Sequence, residues 1–356
     1  MTPAESTPDS EFEQLDDSKS VSQLIRSNAM HYWAHMKDKI DLRRLQPYIE
    51  FAGMTAGDAH PGNFAALPLR TVGGQRQMRF VNVDFDDAGH APLVLDFIRF
   101  VIACKAINAD IKRHSLQKAY VAGLAGHDMD PPAKVRECLE LSVSDYDNVV
   151  AAYADKRSSK DRFILEAGEI EAYDGKIPRA AIEKLFSDGE VIDIALRPRE
   201  RGGSLNQLRI WVLVRSRNSR RRIMELKQYA EPATACYEKQ PPVERWLHDV
   251  REAFWPGLDG SAYDLISLPG HGLFWLREKA VSLIDVPYSS DHAKKVDFLE
   301  DLASFDAYQL GLAHGRQTHA TNYRAAIEHD DEGFRDATKS VEKAYLEAAD
   351  KAFTKK

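Results

Sequence analysis

The stretch that decides the fold is GDAHPGN at residues 57–63, together with VNVDFDD at residues 81–87. Each is a short polar segment beside an apolar extended one, so each is predicted to be a loop next to a β-strand. Loops on adjacent strands lie side by side and bring together side chains that are distant in sequence. We therefore expect Asp58, Asn63 and Asp84 to converge on one site.

The spacing of these side chains indicates phosphoryl-transfer chemistry. Asp58 and Asn63 form Asp-x-x-x-x-Asn, the spacing at which a phosphoryl-transfer catalytic loop carries its base and a metal-holding amide. Mg²⁺ keeps several waters and bridges phosphate oxygens, so Asn63 and Asp84 suffice as its predicted protein ligands. Asp58 is the predicted base, which orients an acceptor hydroxyl and takes its proton. The carboxylates that follow, Asp86 and Asp87, are reserve metal ligands or substrate contacts.

Two other interpretations use the same residues. Asp and Asn are turn formers, so a lone Asp-x-x-x-x-Asn also occurs in ordinary loops. Metal-dependent phosphoesterases carry Asp-x-His and Gly-Asp loops, and the ligand set would then be Asp58, His60, Asp84 and His90. A dinuclear hydrolase also needs Gly-Asp-x-x-Asp and Gly-Asn-His loops, and neither follows in this sequence. His60 is therefore predicted to bond to the loop backbone.

Three segments resemble a known group of proteins: TAGDAHPGNF at residues 55–64, DFDDAG at residues 84–89 and LDFIR at residues 95–99. They are similar to the catalytic and metal loops of kinase-like proteins of the aminoglycoside-phosphotransferase and choline-kinase type. The sequence of these segments is more similar still to the bacterial domain-of-unknown-function family 2252, whose name assigns no activity. The resemblance covers most of residues 20–320. It extends more weakly to residues 223–227, 274–279 and 311–316.

Composition limits the class of protein. The chain has 356 residues, 44% of them hydrophobic, which allows a large core or two lobes that share a cleft. No run of about 18 apolar residues is present, so no membrane span is expected. The acidic start, residues 1–17, is predicted to be disordered. Three widely spaced cysteines, Cys104, Cys138 and Cys236, are typical of inert thiols in a reducing cytoplasm.

Net charge does not favour nucleic acid as the main partner. The chain has 48 basic and 55 acidic residues, for a formal net charge of -7. One basic cluster, at Arg215, Arg217, Arg220, Arg221 and Arg222, brackets a predicted hairpin turn. A solvated turn is the simpler interpretation. The alternative is a docking patch for an anionic substrate or RNA, but no aromatic residues alternate with the arginines.

Periodicity predicts an α+β protein with three parts after the acidic tail. Residues 18–190 form a helical lobe that contains both polar loops, residues 191–285 a small antiparallel-sheet lobe, and residues 286–356 helices that pack on the helical lobe. A helix is predicted over 18–39 and a strand over 48–54. Further predicted elements are a hairpin across Gly73-Gly74, helices after Pro92, Pro178 and Pro242, and strands at 191–196, 207–214, 221–229, 263–268 and 272–277.

The resemblance implies a protein-kinase-like two-lobe fold, in which the Asp96 carboxylate supports the catalytic loop. An ordinary kinase-like chain begins with its sheet lobe, whereas here the catalytic-loop sequence comes first. That order predicts a circular permutation, which compact domains tolerate because their termini often lie close together. The alternative is that residues 191–285 form an unrelated sheet domain. Ala56 is a departure from the pattern, because many kinase-like loops have His there.

Under this interpretation Lys227 grips the phosphates, and Glu244, or else Glu238, pairs with it. The predicted nucleotide contacts are Gly202, Gly203 and Ser204 over the phosphates, with Phe274 and Leu276 in a hinge segment that holds the base. Glu225 faces the same side as Lys227, where it would repel phosphate or narrow the base slot unless Arg209 or another cation pairs with it.

The expected function is an ATP- and Mg²⁺-dependent phosphotransferase that acts on an unidentified small molecule or protein. Transfer of the nucleotidyl group is a related possibility. A pseudokinase, which holds a nucleotide or only a partner without turnover, is the alternative. Its support is the weak glycine motif at 202–203 and the carboxylate of Glu225.

Overall fold

The computed structural model describes residues 28–187, 189–198, 207–216, 220–284, 286 and 298–354. Within those ranges the fold is α+β, with eleven α-helices and twelve β-strands. Six strands form one antiparallel sheet and the others form three two-stranded sheets. The predicted α+β class with a small antiparallel sheet is therefore confirmed. The predicted tail at residues 1–17 lies outside the described residues.

The strands are β1 (Ala52–Thr55), β2 (Phe64–Arg70), β3 (Arg76–Asn82), β4 (Gly89–Pro92), β5 (Ser158–Ser159), β6 (Arg162–Phe163), β7 (Glu171–Ala172), β8 (Gly189–Leu196), β9 (Arg209–Ser216), β10 (Arg221–Gln228), β11 (Tyr263–Leu268) and β12 (Gly272–Glu278). The helices are α1 (Ala29–Asp38), α2 (Gln46–Ile49), α3 (Leu93–Ile107), α4 (Arg113–Leu124), α5 (Ala133–Leu139), α6 (Val143–Lys156), α7 (Arg179–Glu183), α8 (Val243–Phe254), α9 (Leu299–Gly315), α10 (Ala320–His329) and α11 (Asp331–Thr354).

The two polar loops meet because of how four short strands pair. In the β2–β3 hairpin Phe64 lies opposite Asn82, so the loop that precedes β2 and the loop that follows β3 share one end. In the β1–β4 pair Thr55 lies opposite Gly89, which places the start of the first loop beside the end of the second. The two predicted loops therefore lie next to each other, since each begins beside the end of the other.

Helix α3 lies under these loops and is the centre of the main core. Its sequence is apolar on all sides, and such a helix is buried on all sides. Two charged residues on it, Asp96 and Arg99, have no exposed surface. Buried charges require partners, and both side chains find theirs in the Asp58 loop, as described below.

The six-stranded sheet has the order β11-β12-β10-β9-β8-β7. Register sorts the side chains of its central strands into two faces, because directly opposed residues point to the same side. One face carries Glu225 opposite Arg277 and Lys227 opposite Trp275. The other face carries apolar residues such as Leu226, which packs in a separate core cluster beneath α7.

Two predicted elements differ from the structure. Residues 48–54 were expected to be a strand, but Gln46–Ile49 is a helical turn and only Ala52–Thr55 is extended. Pro47 favours that first helical turn because its φ is already helical. The six-stranded sheet also begins earlier than predicted, since β7 lies inside the range 18–190 and pairs with β8.

Other predictions agree with the structure. The hairpin across Gly73-Gly74, the helices after Pro92, Pro178 and Pro242, and the five predicted strands are present. None of the helices in the described ranges combines the length and apolar content that a bilayer crossing requires. Burial raises the pKa of the Cys104 and Cys138 thiols.

Candidate functional site

Asp58 is held in place from several sides. Its Oδ1 accepts a hydrogen bond from Arg99 Nη2 at 2.6 Å, and its Oδ2 lies 3.7 Å from His60 Nε2. The Asn63 side-chain amide donates to the Asp58 carbonyl at 2.9 Å. His60 Nδ1 accepts from the Gly62 N–H at 3.0 Å, which is the backbone contact predicted for it. With 19% of its side-chain surface exposed, the Asp58 carboxylate is both oriented and reachable.

The backbone before Asp58 rests on Asp96, as the resemblance implies. Its carboxylate accepts from the Ala56 N–H at 2.8 Å and from the Gly57 N–H at 3.1 Å. Trp33 Nε1 donates to the Gly57 carbonyl at 2.6 Å. Gly57 has φ +75°, a conformation that favours glycine. Asp58 therefore extends from a backbone that is fixed on both sides of the Gly57 peptide.

A buried chain of polar side chains continues from Asp96. His314 Nε2 lies 3.2 Å from Asp96 Oδ2, and the Tyr120 hydroxyl lies 2.7 Å from His314 Nδ1. A carboxylate only accepts, so Nε2 carries the proton in the contact with Asp96. Helices α4 and α9 come close enough for this contact because Gly311 has no Cβ, which would lie 2.1 Å from the Tyr120 carbonyl oxygen.

His314 places an imidazole at the carboxylate that also binds the Ala56 N–H. Sequence reasoning assigned His314 no role, although residues 311–316 belong to the weaker resemblance. Its functional contact depends on helix packing, which spacing alone does not reveal.

The loop after β3 carries three carboxylates in different surroundings. The Asp84 N–H donates to Asn82 Oδ1 at 3.1 Å, and Asp87 Oδ1 accepts from the Ala233 N–H at 3.1 Å. Asp86 is buried. A Cβ on Gly57 would lie 1.8 Å from the Asp87 carbonyl oxygen, so the two loops touch at this glycine.

Lys227 reaches this loop from β10. It donates to Asp86 Oδ2, while the Tyr263 hydroxyl donates to Asp86 Oδ1. The predicted pairing of Lys227 with Glu244 is wrong, as is the pairing with Glu238. Both glutamates are exposed: Glu238 precedes α8, and Glu244 is in its acidic first turn, which faces outward while Trp246 and other apolar residues face inward.

Arg277 on β12 connects the loop to Glu225. Its Nη1 donates to Asp84 Oδ1 at 3.2 Å, and its Nε and Nη2 donate to Glu225 Oε1 at 3.0 and 2.8 Å. Glu225 Oε2 accepts from Arg209 Nη1 at 3.3 Å and Trp211 Nε1 at 3.1 Å. The Glu225 carboxylate, expected to repel phosphate unless a cation paired with it, is thus paired with two.

The pKa values of Asp84 and Asp87 shift in opposite directions in these surroundings. Burial by itself raises the pKa of Asp84, but the positive charges of Arg277 and Lys227 hold the pKa below its usual value. Burial, with the negative charge of Asp58 next in importance, raises the pKa of Asp87 to about 7. Asp58 and Lys227 act on both residues, so these charges share one site. The Lys227–Asp86 contact and the close approach of Gly57 to Asp87 place the Asp58 loop, the loop after β3 and Lys227 in one region, while the joint role of Asp58, Asn63, Asp84 and Lys227 stays a prediction.

The predicted nucleotide contacts on β12 do not face this site. Phe274 and Leu276 lie on the sheet face opposite Lys227, and Phe274 lines a cavity of about 640 Å³ with Lys176 and other residues. Strand β12 lies between β10 and β11, so its backbone groups are used by both neighbours and cannot serve as a hinge. The predicted phosphate loop, Gly202, Gly203 and Ser204, lies outside the described residues.

Asp84 and Asn63 are the residues that would hold Mg²⁺ in the predicted site. The Asp84 side chain is 36% exposed, and the Asn63 amide oxygen remains an acceptor because its nitrogen serves the Asp58 carbonyl. Mg²⁺ keeps several waters and needs only one or two carboxylates. Asp86, the third predicted ligand, is engaged by Lys227 and Tyr263. No three His, Cys, Asp or Glu side chains in the described ranges form a metal-binding group.

The other candidate surfaces are accounted for by local contacts. The described arginines of the basic cluster pair with nearby carboxylates: Arg215 with Asp161 and Glu190, Arg220 with Asp147, Arg221 with Asp155 and Arg222 with Glu278. Arg217 lies outside the described residues. These ion pairs occupy the described arginines locally and give no support to a docking patch. His90, a candidate ligand in the phosphoesterase interpretation, is exposed on β4.

Sequence reasoning missed Arg99, Tyr263 and Arg277. A signal existed for Arg99, because it is a single arginine in the otherwise apolar helix α3, three residues after Asp96. Such a buried cation requires a carboxylate partner. Tyr263 and Arg277 gave no comparable signal, since their roles follow from the register between β11 and β12.

Comparison with known proteins gives no relative for this arrangement. No protein-family model matches the chain, and neither a curated protein nor a solved structure matches it.

Proposed function

We propose that this chain is an ATP- and Mg²⁺-dependent phosphotransferase with a protein-kinase-like two-lobe architecture. The observation that carries the proposal is the ion pair between Lys227 and Asp86, which lie 141 residues apart. It joins a cation on the sheet to the carboxylate loop that touches the Asp58 loop. A base, metal-binding oxygens and a phosphate-binding lysine at one point are the parts that phosphoryl transfer requires.

The sheet supports the circularly permuted form of that architecture. Strands β8, β9 and β10 are consecutive neighbours, and Lys227 lies on the third of them. Helix α8 follows before β11, as a helix follows the lysine strand in protein kinases. The Asp58 loop precedes all of these elements in the chain. In this proposal the sheet lobe and the catalytic loop of a kinase are both present, but the catalytic loop comes first in the chain.

Each residue at the site has a task in this proposal. Asp58 orients the acceptor hydroxyl and takes its proton as the acceptor oxygen bonds to the γ-phosphorus and the bond to the β-phosphate oxygen breaks. Arg99 keeps the Asp58 carboxylate in position. Asn63 and Asp84 would hold Mg²⁺, which when bound neutralises charge on the phosphates. Lys227 exchanges Asp86 for a phosphate oxygen.

A nucleotide-binding module without turnover is the alternative. The observation that favours it is that Asp84 and Asp86 are each bound to a cation, Arg277 and Lys227. In a catalyst these contacts must open when nucleotide binds. In a pseudokinase these two ion pairs persist when nucleotide binds, and Asp58 takes no proton because no phosphate is transferred.

The first experiment measures ATP consumption by the wild type and by Asp58→Ala in the presence of a metabolite mixture and Mg²⁺. We expect loss of about 10³-fold in kcat for Asp58→Ala, since positioning and proton transfer both depend on this carboxylate. Glu244→Gln is the matched control, because Glu244 is exposed and does not contact Lys227; it should keep full activity. Unchanged turnover in Asp58→Ala removes Asp58 as the base.

The second experiment measures thermal stabilisation by ATP with Mg²⁺ and by ATP with EDTA. A ligand that binds only the folded state raises its stability, so the wild type should melt at a higher temperature with MgATP than with ATP and EDTA. Asp84→Ala should abolish that difference. Equal stabilisation with and without metal contradicts the predicted role of Asp84.

A further inference from the structure

The guanidinium of Arg277 is divided between two carboxylates with different surroundings. One edge, Nε and Nη2, contacts Glu225, which is 1% exposed and is also held by Arg209 and Trp211. The other side, Nη1, contacts Asp84, whose side chain is 36% exposed. Glu225 is thus a fixed anchor, and Asp84 is the partner that a ligand can reach.

The ion pair between Arg277 and Asp84 resembles the one between Lys227 and Asp86, because each joins a cation on the sheet to a carboxylate on the loop after β3. Both cations stand on the same face of neighbouring strands, and both carboxylates belong to the loop after β3. Tyr263 lies between the pairs, since its hydroxyl donates to Asp86 and is 3.5 Å from Asp84 Oδ1. The Arg277 guanidinium carbon lies 5.3 Å from the centre of the Tyr263 ring.

We propose that Arg277 is a second phosphate-binding residue and that Glu225 positions it. The proposal rests on the proposed function and adds to it. When a polyphosphate binds, its oxygens replace Asp84 at the Nη1 side of Arg277, as they replace Asp86 at Lys227. The exchange frees the Asp84 carboxylate for the divalent cation that accompanies the phosphates. Arginine suits this exchange because its planar fork can hold Glu225 and a phosphate oxygen at once.

The register of the two strands also selects the class of ligand. Lys227 lies opposite Trp275 and Glu225 lies opposite Arg277, so the two cations are diagonal neighbours. Such positions are about 7–8 Å apart along the sheet, which suits two different phosphate groups of one chain. The site should therefore bind ATP and inorganic tripolyphosphate far better than inorganic phosphate.

A matched control exists on the same two strands. Arg222 and Glu278 form an ion pair at 3.4 Å between β10 and β12, on the face opposite Lys227. That pair holds the sheet together without contact to Asp84 or Asp86. Arg222→Gln therefore reports what the loss of a purely structural Arg–Glu pair does to ligand binding.

The test is calorimetric titration of the full chain with MgATP and with magnesium tripolyphosphate, together with titration of Mn²⁺ alone by electron paramagnetic resonance. Arg277→Gln should weaken both polyphosphates by about tenfold or more, because one charge-assisted contact is lost. The same variant should bind Mn²⁺ alone more tightly, since Asp84 has lost its competing cation. Opposite changes for the two ligands are not expected from a structural defect. Arg222→Gln should change neither.

Two further variants keep the test valid if Arg277→Gln does not fold. Arg277→Lys keeps a charge beside Glu225 but cannot bridge Glu225 and Asp84 at once, so polyphosphate binding should weaken by a smaller factor. Glu225→Gln leaves Arg277 in place without its anchor and should also weaken polyphosphate binding.

The outcomes separate this proposal from the proposed function. If Lys227→Met abolishes MgATP binding while both Arg277 variants bind it as the wild type does, the role of Arg277 is wrong and the proposed function stands. If Arg277→Gln weakens polyphosphate and Mn²⁺ together, the exchange at Asp84 is wrong. If the wild type binds neither MgATP nor magnesium tripolyphosphate, both proposals fail.

Discussion

The two faces of β10 and β12 contrast in their central part, at residues 225–227 and 274–277, whereas the Arg222–Glu278 ion pair lies further along the otherwise apolar face. On one face Leu226 and Phe274 are buried among apolar side chains, as folding requires. On the other, Glu225 and Lys227 are buried, Arg277 is 16% exposed, and all three carry charge. A buried ion pair contributes little net stability, because desolvation offsets the attraction between the charges. The charged face is where the proposed ligand would bind, and the adjacent residues Leu226 and Lys227 on β10 allow the two faces to be compared.

The largest effect is expected from Lys227→Met. Loss of the ammonium removes the proposed contact with phosphate on the charged face, so kcat/KM for ATP should fall by about 10²- to 10³-fold. The variant should still fold, since Asp86 keeps its contact with Tyr263. Steady-state ATP consumption with circular dichroism as a folding check measures this. Activity within threefold of the wild type would remove the functional distinction between the faces.

The adjacent residue should give the opposite result. Leu226→Ala creates a cavity on the apolar face, and we expect a loss of about 3 kcal/mol in the free energy of unfolding. Denaturant titration measures that loss. Activity per folded molecule should stay unchanged, because the Leu226 side chain points away from Asp86. A large drop in kcat would mean that the two faces are not independent.

A smaller effect is expected from changes in the buried hydrogen-bonded side chains Asp96, His314 and Tyr120, which support the Asp58 loop. His314→Phe keeps an aromatic ring but removes the hydrogen bond to Asp96, so the loop should lose part of its orientation. We expect kcat to fall by about tenfold, or roughly 1.4 kcal/mol, while KM for ATP stays constant. Tyr323→Phe is the control, since it removes only a hydroxyl 3.5 Å from Tyr120. A rise in KM without change in kcat would contradict a positioning role.

The smallest effects concern the pH dependence of stability, where Glu225 contrasts with Asp306. Arg277 and Arg209 overcome the burial of Glu225 and hold its pKa below the usual 4.5, so its stabilisation is present above that pH and is lost as pH falls further. Asp306 is fully buried, and neither of its carboxyl oxygens has a hydrogen-bond partner within the described ranges. Burial raises its pKa well above 3.8, so stability should fall as pH rises from about that value.

Substitutions at Glu225 and Asp306 distinguish these two changes of stability with pH. Glu225→Gln should reduce the loss of stability below pH 4.5, and Asp306→Asn should remove the decline above pH 3.8. We expect Asp306→Asn to gain about 1 kcal/mol at neutral pH. Urea titrations at about pH 2.5, 3.5, 4.5, 5.5 and 7.5 measure both. An unchanged slope in Asp306→Asn would mean that Asp306 ionises at its ordinary pKa in the folded protein.

Local patterns predicted much of this molecule. The alternation in residues 221–229 and the Gly73-Gly74 turn identified strands and a hairpin, because those signals depend on neighbouring residues. The Asp58, Asp84 and Lys227 side chains were located through spacing and resemblance. The partners of Lys227 were not, because an exposed Glu244 and a buried Asp86 look alike in sequence until packing is known. The hinge assignment failed for a similar reason, since strand order decides whether β12 is an edge.

The order of the chain has a consequence for synthesis. Asp84 and Asp86 leave the ribosome well before the cations that pair with them, 193 residues ahead of Arg277 and 141 ahead of Lys227. At about 5–20 residues per second, the wait for Arg277 is roughly 10–40 s. During that time the acidic loop must stay hydrated, because burial without a counter-charge is unfavourable. The first half of the nascent chain is therefore expected to remain open at its acidic end until the sheet has been made.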